Sequence, residues 1–232
     1  MIAVPVATLA GLFVALGGTS VLALIKSRNK HAPIKAAFHL SSMWGLALAL
    51  AVVAIVLFWE RRSLASIGIE GGHYGAWAAG ALIGLTMVTF TVLSLHLALQ
   101  RGRSAMPESS AQGLKRLTDM PLWFRYAAVI TAAITEEILF RGYPIERLQE
   151  LTGNVWLAAA MPLLVFVVAH PGGWSAGHLV GVLFGGVLLT GLYLVTRDLV
   201  ACMITHALID STIIFLPALL RRYGNRTAGG DR

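Results

Sequence analysis

The 232-residue sequence has few charged residues and a single cysteine. Only 12% of its residues are charged, whereas 57% are hydrophobic, and the mean hydropathy of +0.75 is well above that of soluble domains. Cys202 alone excludes a disulfide within the chain and a cysteine-based metal site, and its place in an apolar run indicates a packing residue. This composition excludes an ordinary soluble domain and indicates an integral membrane protein.

Two other patterns are missing. The period-two alternation of a lipid-facing barrel is absent, and so are the repeated broken helices that many secondary transporters share. Instead, apolar runs of about 18 or more residues recur, each long enough to cross a bilayer as a helix. Helices satisfy their own backbone polar groups in lipid. We therefore predict an all-α fold, a polytopic transmembrane bundle of about seven helices.

The apolar runs and the segments between them predict the organisation of the chain. The runs are Ile2–Ile25, Ala36–Trp59, Ala76–Leu99, Trp123–Leu148, Asn154–His170, Gly177–Thr196 and Leu199–Leu220. The first run has no basic segment before it and is too long for a signal-peptide core, so we expect a retained helix. Residues 1–122 form N-terminal transmembrane helices and a polar linker, residues 123–220 a second transmembrane part, and residues 221–232 a basic tail.

The loop cations predict the orientation of the bundle. If the helices alternate, thirteen Lys and Arg residues collect on one side and four on the other, namely Arg61, Arg62, Arg147 and Arg197. The positive-inside rule then places the amino terminus outside and the carboxyl terminus in the cytoplasm. The same loops explain the net charge of +7, because they face anionic lipid. No nucleic-acid-binding motif is present, so nucleic acid is not an expected partner.

Three ionisable residues interrupt the apolar stretch "TEEILFRGYP". Glu137 and Arg141 are four residues apart and share a helix face, so we predict a structural ion pair between them. Glu136 points about 100° away around the helix and is left free for chemistry. The alternative is that all three form one ion-pair network that only holds helices together.

Two later runs also carry ionisable groups at membrane depth. His206 and Asp210 are four residues apart on one face, and His170 follows Phe166 by the same step. At about 1.5 Å of rise per residue, these groups and Glu136 lie about 12 to 24 Å from the outer ends of their helices, so they can meet within the membrane. A base and donors converging in a low-dielectric cavity are what activation of a water molecule requires. This pattern indicates an intramembrane hydrolase.

Small residues repeat along the sixth run. Gly177, Gly181 and Gly185 are spaced by four, which predicts a close helix-packing stripe. Beside it, His178 either lines the entrance of the cavity or lies in the helix interface. We expect Phe166 and His178 to be cavity-lining residues.

Three short motifs together resemble those of a known family. "EEILFR", "FVVAH" and "HALID" are similar to the EExxxR, FxxxH and HxxxN/D signatures of the CAAX protease and bacteriocin-processing family, also called the Abi family. Their order and intervals also fit, and the resemblance covers roughly residues 120 to 215. It implies a type II CAAX prenyl protease-like intramembrane endopeptidase, with residues 123–220 as its catalytic core. Residues 1–122 resemble only the variable amino-terminal part of such proteins.

The resemblance also implies roles for the motif residues. Glu136 is the base, His170 its partner on the water, and Glu137 with Arg141 braces the site. No covalent acyl-enzyme forms in this mechanism. The substrate is then a membrane-associated, CAAX-type protein or peptide, and we expect a location in the bacterial inner membrane.

The third motif implies that His206 and Asp210 stabilise the oxyanion. The commoner pattern has asparagine where this chain has Asp210, and an ionised aspartate only accepts hydrogen bonds. Asp210 is therefore either protonated or acts by orienting His206, and we favour orientation.

Two questions stay open at the level of sequence. We expect no cofactor, but Glu136, His170 and His206 could supply three zinc ligands with a fourth position open for water, although the HExxH spacing is absent. The principal alternative to a peptidase is a non-catalytic immunity or interaction protein of the same fold. A small transporter with a proton relay is a third class.

Overall fold

The structure is a computed structural model that describes residues 6–21, 24, 34–101, 120–170 and 176–215. Within these ranges the ordered elements are helices, and none of the described residues lies in a strand. This confirms the prediction of an all-α membrane bundle.

The α-helices of the described ranges are named here in chain order. They are α1 (Val6–Leu12), α2 (Ile34–Ala54), α3 (Tyr74–Gln100), α4 (Leu122–Glu137), α5 (Tyr143–Thr152), α6 (Val155–Val168), α7 (Ala176–Thr196) and α8 (Leu199–Asp210). Three π-helical turns, Phe13–Gly17, Ile55–Trp59 and Ile138–Gly142, continue α1, α2 and α4, and a 3-10 turn lies at Leu64–Ile67.

The predicted runs differ in how far they extend as helices. Leu40–Trp59, Tyr74–Ala98 and Leu179–Thr196 are long and apolar enough to cross a membrane, and three shorter apolar helices accompany them: Val6–Val21, Val155–Val168 and Leu199–Phe215. The fourth run, Trp123–Leu148, is not one regular helix, because the π-helical turn Ile138–Gly142 separates α4 from α5. Such turns are rare and occur frequently at functional sites.

A close backbone approach explains why a glycine ends this π-helical turn. A Cβ added at Gly142 would lie 2.6 Å from the carbonyl oxygen of Ile67 and 2.7 Å from Cδ2 of Leu199. Any side chain here would push the turn away from the 3-10 segment and from the start of α8. Gly142 therefore allows the segment that carries Arg141 to pack at the centre of the bundle.

The glycine stripe of α7 does not pack as the sequence predicted. Positions for a Cβ on Gly181 and Gly185 meet no atom of another residue within 4 Å, so within the described part of the chain these two glycines do not make the predicted close helix contact. Gly186, one step around the helix, instead faces Leu163 and Phe166 of α6. The glycines of the stripe share one face of α7, as their spacing predicts. The contact with α6 is made by a different face of α7.

Candidate active site

The Glu137–Arg141 pair lies at the centre of the bundle, where α4 passes into the π-helical turn. Nη1 of Arg141 donates to Oε1 of Glu137 over 2.9 Å, and both side chains are buried. The guanidinium also lies over the ring of Phe166, 4.4 Å from its centroid. A buried carboxylate and a buried guanidinium each require such a partner, so the pair removes two isolated charges at once.

Glu137 has a second partner that the sequence did not predict. Nδ1 of His206, on α8, lies 2.7 Å from Oε1 of Glu137. An ionised carboxylate can only accept, so Nδ1 carries a proton and donates. The Glu137 carboxylate therefore fixes both the rotation of the imidazole and the nitrogen that bears this proton.

The other ring nitrogen of His206 faces two carboxylates. Its Nε2 lies 3.5 Å from Oδ2 of Asp210 and 3.8 Å from Oε2 of Glu136. The Glu136 and Asp210 side chains are 27% and 32% exposed, whereas that of His206 is 8% exposed. These two acids thus form the accessible side of the cluster, and the distances leave them too far from Nε2 for short direct hydrogen bonds. A water molecule can interact with all three groups.

His170 lies just beyond the end of α6. Its Nδ1 is 2.6 Å from the carbonyl oxygen of Phe166, and its ring centroid is 4.5 Å from that of Phe166. The carbonyl can only accept, so Nδ1 donates and the neutral ring keeps its lone pair on Nε2. Among the described residues, no hydrogen bond or ion pair joins His170 directly to Glu136.

Phe166 connects the two halves of the cluster. It is buried, with its ring between the guanidinium of Arg141 and the imidazole of His170, and Phe140 packs edge-on against it. The predicted cavity-lining residue is therefore packed between charged and aromatic neighbours. The side chain of the second such residue, His178, lies outside the described residues.

The residues proposed as zinc ligands are not gathered into a metal site. Among the described residues, no three His, Cys, Asp or Glu side chains are arranged to hold an ion. Glu136 and His206 approach each other, but His170 is held by Phe166. Both the cofactor-free and the zinc-dependent form stay predictions.

A buried ionic cluster on the first half of α5 was missed from the sequence. Arg147 was counted among the cations on one side of the bundle, but it is fully buried within α5 and does not face lipid headgroups as a loop cation would. It donates to Oε2 of Glu60 from Nε (2.9 Å) and Nη2 (2.7 Å). The hydroxyl groups of Tyr143 (2.8 Å) and Thr8 (3.3 Å) donate to Oε1 of the same carboxylate. This cluster joins α1 and the end of α2 to the segment that follows Arg141.

The Glu60 carboxyl lies just beyond the apolar span Leu40–Trp59. Burial acts to raise its pKa, but hydrogen bonds from Arg147 and Tyr143 outweigh burial and hold the pKa below the usual glutamate value. Nothing near Glu60 in the sequence indicates this, because its partners lie more than 50 residues away along the chain.

The described residues thus form a helical membrane bundle with a buried carboxylate, guanidinium and imidazole at its centre. Residues 118–212 match the family described as type II CAAX prenyl endopeptidase Rce1-like. This range contains every motif residue of the cluster, and the match confirms the family resemblance. No curated protein and no solved structure matches the chain.

Proposed function

We propose that the protein is an intramembrane endopeptidase that cleaves a membrane-associated, CAAX-type protein or peptide with an activated water molecule. The observation that carries this proposal is the arrangement around His206. One ring nitrogen is held by the Glu137–Arg141 pair, and the other faces the accessible carboxylates of Glu136 and Asp210. Membrane depth alone makes such groups costly unless they serve a function.

Glu136 acts as the general base in this proposal. Its carboxylate takes a proton from water while the water oxygen forms a bond to the carbonyl carbon of the peptide. Glu136 then delivers the proton to the amine nitrogen as the C–N bond breaks, so one water is consumed and an acid and an amine are released. Nε2 of His170 accepts a hydrogen bond from the second O–H group of the water and so orients it. Nε2 is the nitrogen available for this role, because Nδ1 is already bound to a backbone carbonyl.

His206 stabilises the oxyanion that forms in this step. To donate to the oxyanion from Nε2 while Nδ1 donates to Glu137, the ring must carry protons on both nitrogens. The Glu137 carboxylate, 2.7 Å from Nδ1, lies beside the positive charge of such a ring, and Asp210 orients its Nε2 side. In this arrangement Glu137 orients the ring, and Asp210 acts at Nε2 rather than at Nδ1.

The test is cleavage of a peptide library, with and without prenylated members, by the purified protein in liposomes. We expect wild-type protein to release defined products by mass spectrometry and Glu136→Gln to release none while it remains folded. A parallel reaction that contains a chelator measures metal dependence. Products that still form in the presence of the chelator indicate the cofactor-free form. Products from Glu136→Gln at the wild-type rate contradict the assigned base. No products from either protein favour a non-catalytic interaction protein.

A further inference from the structure

Helix α3 makes the most extensive helix–helix contact in the described part of the chain, and its partner is α8, which carries His206. Helix α3 spans Tyr74–Gln100 and lies outside residues 118–212, the range that matches the family. Its sequence contains no residue that we assigned to the site. It nevertheless packs against the helix that carries the imidazole of His206.

One end of this contact is fixed by a buried carboxylate. Oδ1 of Asp198 accepts from the backbone N–H of Ala201 (2.8 Å) and so caps the first turn of α8. Oδ2 of the same residue accepts from Nε1 of Trp77 (3.1 Å) and lies 3.0 Å from Nδ1 of His73. The carboxylate therefore ties the start of α8 to the start of α3 and fixes their relative register.

Two glycines further along α3 let this helix approach α8 closely. A Cβ on Gly80 would lie 2.6 Å from the carbonyl oxygen of Ala201 and 2.9 Å from Oγ1 of Thr205. A Cβ on Gly84 would lie 2.8 Å from Cβ of Leu208. Real Cβ atoms do not lie this close to a carbonyl oxygen or to another Cβ atom, so a side chain at either glycine requires the facing part of α8 to shift.

Thr205 shows how close the two backbones are. Its hydroxyl oxygen lies 2.9 Å from the carbonyl oxygen of Gly80, in addition to 2.8 Å from that of Ala201 in its own helix. The next residue is His206, which points about 100° away around α8 and meets Glu137 on α4. The spacing between α3 and α8 therefore affects the position of the His206 imidazole relative to Glu137 on α4.

We propose that Gly80 and Gly84 are positioning residues for His206, and that α3 is part of the active-site scaffold although it lies outside the family match. The activity part of this inference rests on the proposed peptidase function. A side chain at either glycine displaces α8 and so disturbs the bond between Nδ1 of His206 and Oε1 of Glu137, which is 2.7 Å in the structure. A displacement of about 1 Å of a catalytic group can reduce the rate by about 100-fold.

The first experiment compares Gly80→Ala and Gly84→Ala with Gly75→Ala in liposomes. Gly75 is the matched control, because it lies on the same helix and a Cβ there meets nothing within 4 Å. We expect the first two variants to lower kcat by about tenfold or more with KM unchanged, and Gly75→Ala to match wild type. Folded Gly80→Ala and Gly84→Ala proteins with wild-type kcat would overturn the inference.

The second experiment does not depend on activity. Selective 15N labelling of histidine, with His206→Ala for assignment, gives the Nδ1–H signal of the bond to Glu137. We expect this signal to move in Gly80→Ala and Gly84→Ala and to stay in place in Gly75→Ala. Unmoved signals refute the positioning role even if activity falls. A moved signal in a protein that cleaves no peptide supports positioning and counts against the peptidase proposal alone.

Trp77→Phe covers the case in which neither glycine variant folds. It removes the indole N–H that Asp198 accepts and introduces no side chain between the helices. We expect a smaller displacement of the same histidine signal and a smaller loss of kcat. An unchanged signal in this variant, with both glycine variants unfolded, would assign the glycines to folding and overturn their positioning role.

Discussion

Nδ1 of His206 lies 2.7 Å from Oε1 of Glu137, so the carboxylate that pairs with Arg141 also holds the imidazole. The two adjacent glutamates therefore face different partners. Glu137 is buried against Arg141 and His206, whereas Glu136 is partly exposed and lies on the Nε2 side of the ring. This division accounts for a motif that carries two consecutive carboxylates and one guanidinium.

Arg141→Ala is expected to destabilise the fold. It leaves the buried Glu137 carboxylate without its cationic partner, a loss of about 3 to 5 kcal/mol in the free energy of unfolding. Thermal unfolding in detergent, followed by circular dichroism, measures the effect. The matched control is Arg62→Ala, because the Arg62–Glu150 pair is 39% and 44% exposed and contributes only about 0 to 1 kcal/mol.

The same measurement separates the roles of the two glutamates. Glu136→Gln should unfold at the wild-type temperature, since Glu136 is partly exposed and its closest charged partner is 3.8 Å away. Equal destabilisation by Arg141→Ala and Glu136→Gln would contradict the assignment of Arg141 to structure and of Glu136 to chemistry.

Asp210→Asn is expected to retain much of the peptidase activity. Glu137 already holds Nδ1 of His206, and an asparagine amide can both accept from Nε2 and donate to an oxyanion. His206→Ala should lower kcat by about 100-fold or more, the usual effect of removing one oxyanion donor. Cleavage rates of both variants on the same peptide decide the matter. A loss in Asp210→Asn as large as that in His206→Ala would show that the negative charge itself is required.

The sequence was sufficient for the fold class and for local pairs within one helix. High hydropathy predicts a helical membrane bundle because helices satisfy their backbone in lipid, and the structure confirms that class. The Glu137–Arg141 contact follows from a spacing of four residues, which places both side chains on one helix face. Neither inference needs any knowledge of how the helices pack.

Contacts between helices could not be predicted in this way. The bond between Glu137 and His206 joins residues 69 positions apart, and no periodic pattern links them. The glycines of α7 had the spacing of a packing stripe, but Gly80 and Gly84 of α3 make the close helix contact. Spacing shows that small residues share a face, whereas only tertiary packing decides which face meets another helix.

The Glu60 cluster leads to a prediction about acid stability. Its pKa is lowered in the folded protein, so the cluster contributes its full stability above the pKa of an unfolded glutamate, about 4.3. As the pH falls below that value and through the folded pKa, protonation of Glu60 neutralises the buried carboxylate that pairs with Arg147. We expect the unfolding temperature of the wild-type protein to fall over this range.

Glu60→Gln is the variant that isolates this effect. It lacks the titrating group and leaves Arg147 without its buried carboxylate partner at every pH, so its unfolding temperature should be lower at pH 7 and should fall less between pH 5 and pH 3, relative to wild type. Unfolding in detergent at pH 7, 5, 4 and 3 gives both curves. Parallel curves for the two proteins would assign the acid sensitivity to other carboxylates. A shallower curve for Glu60→Gln would assign part of the acid sensitivity to the Glu60 cluster, which lies apart from the residues around His206.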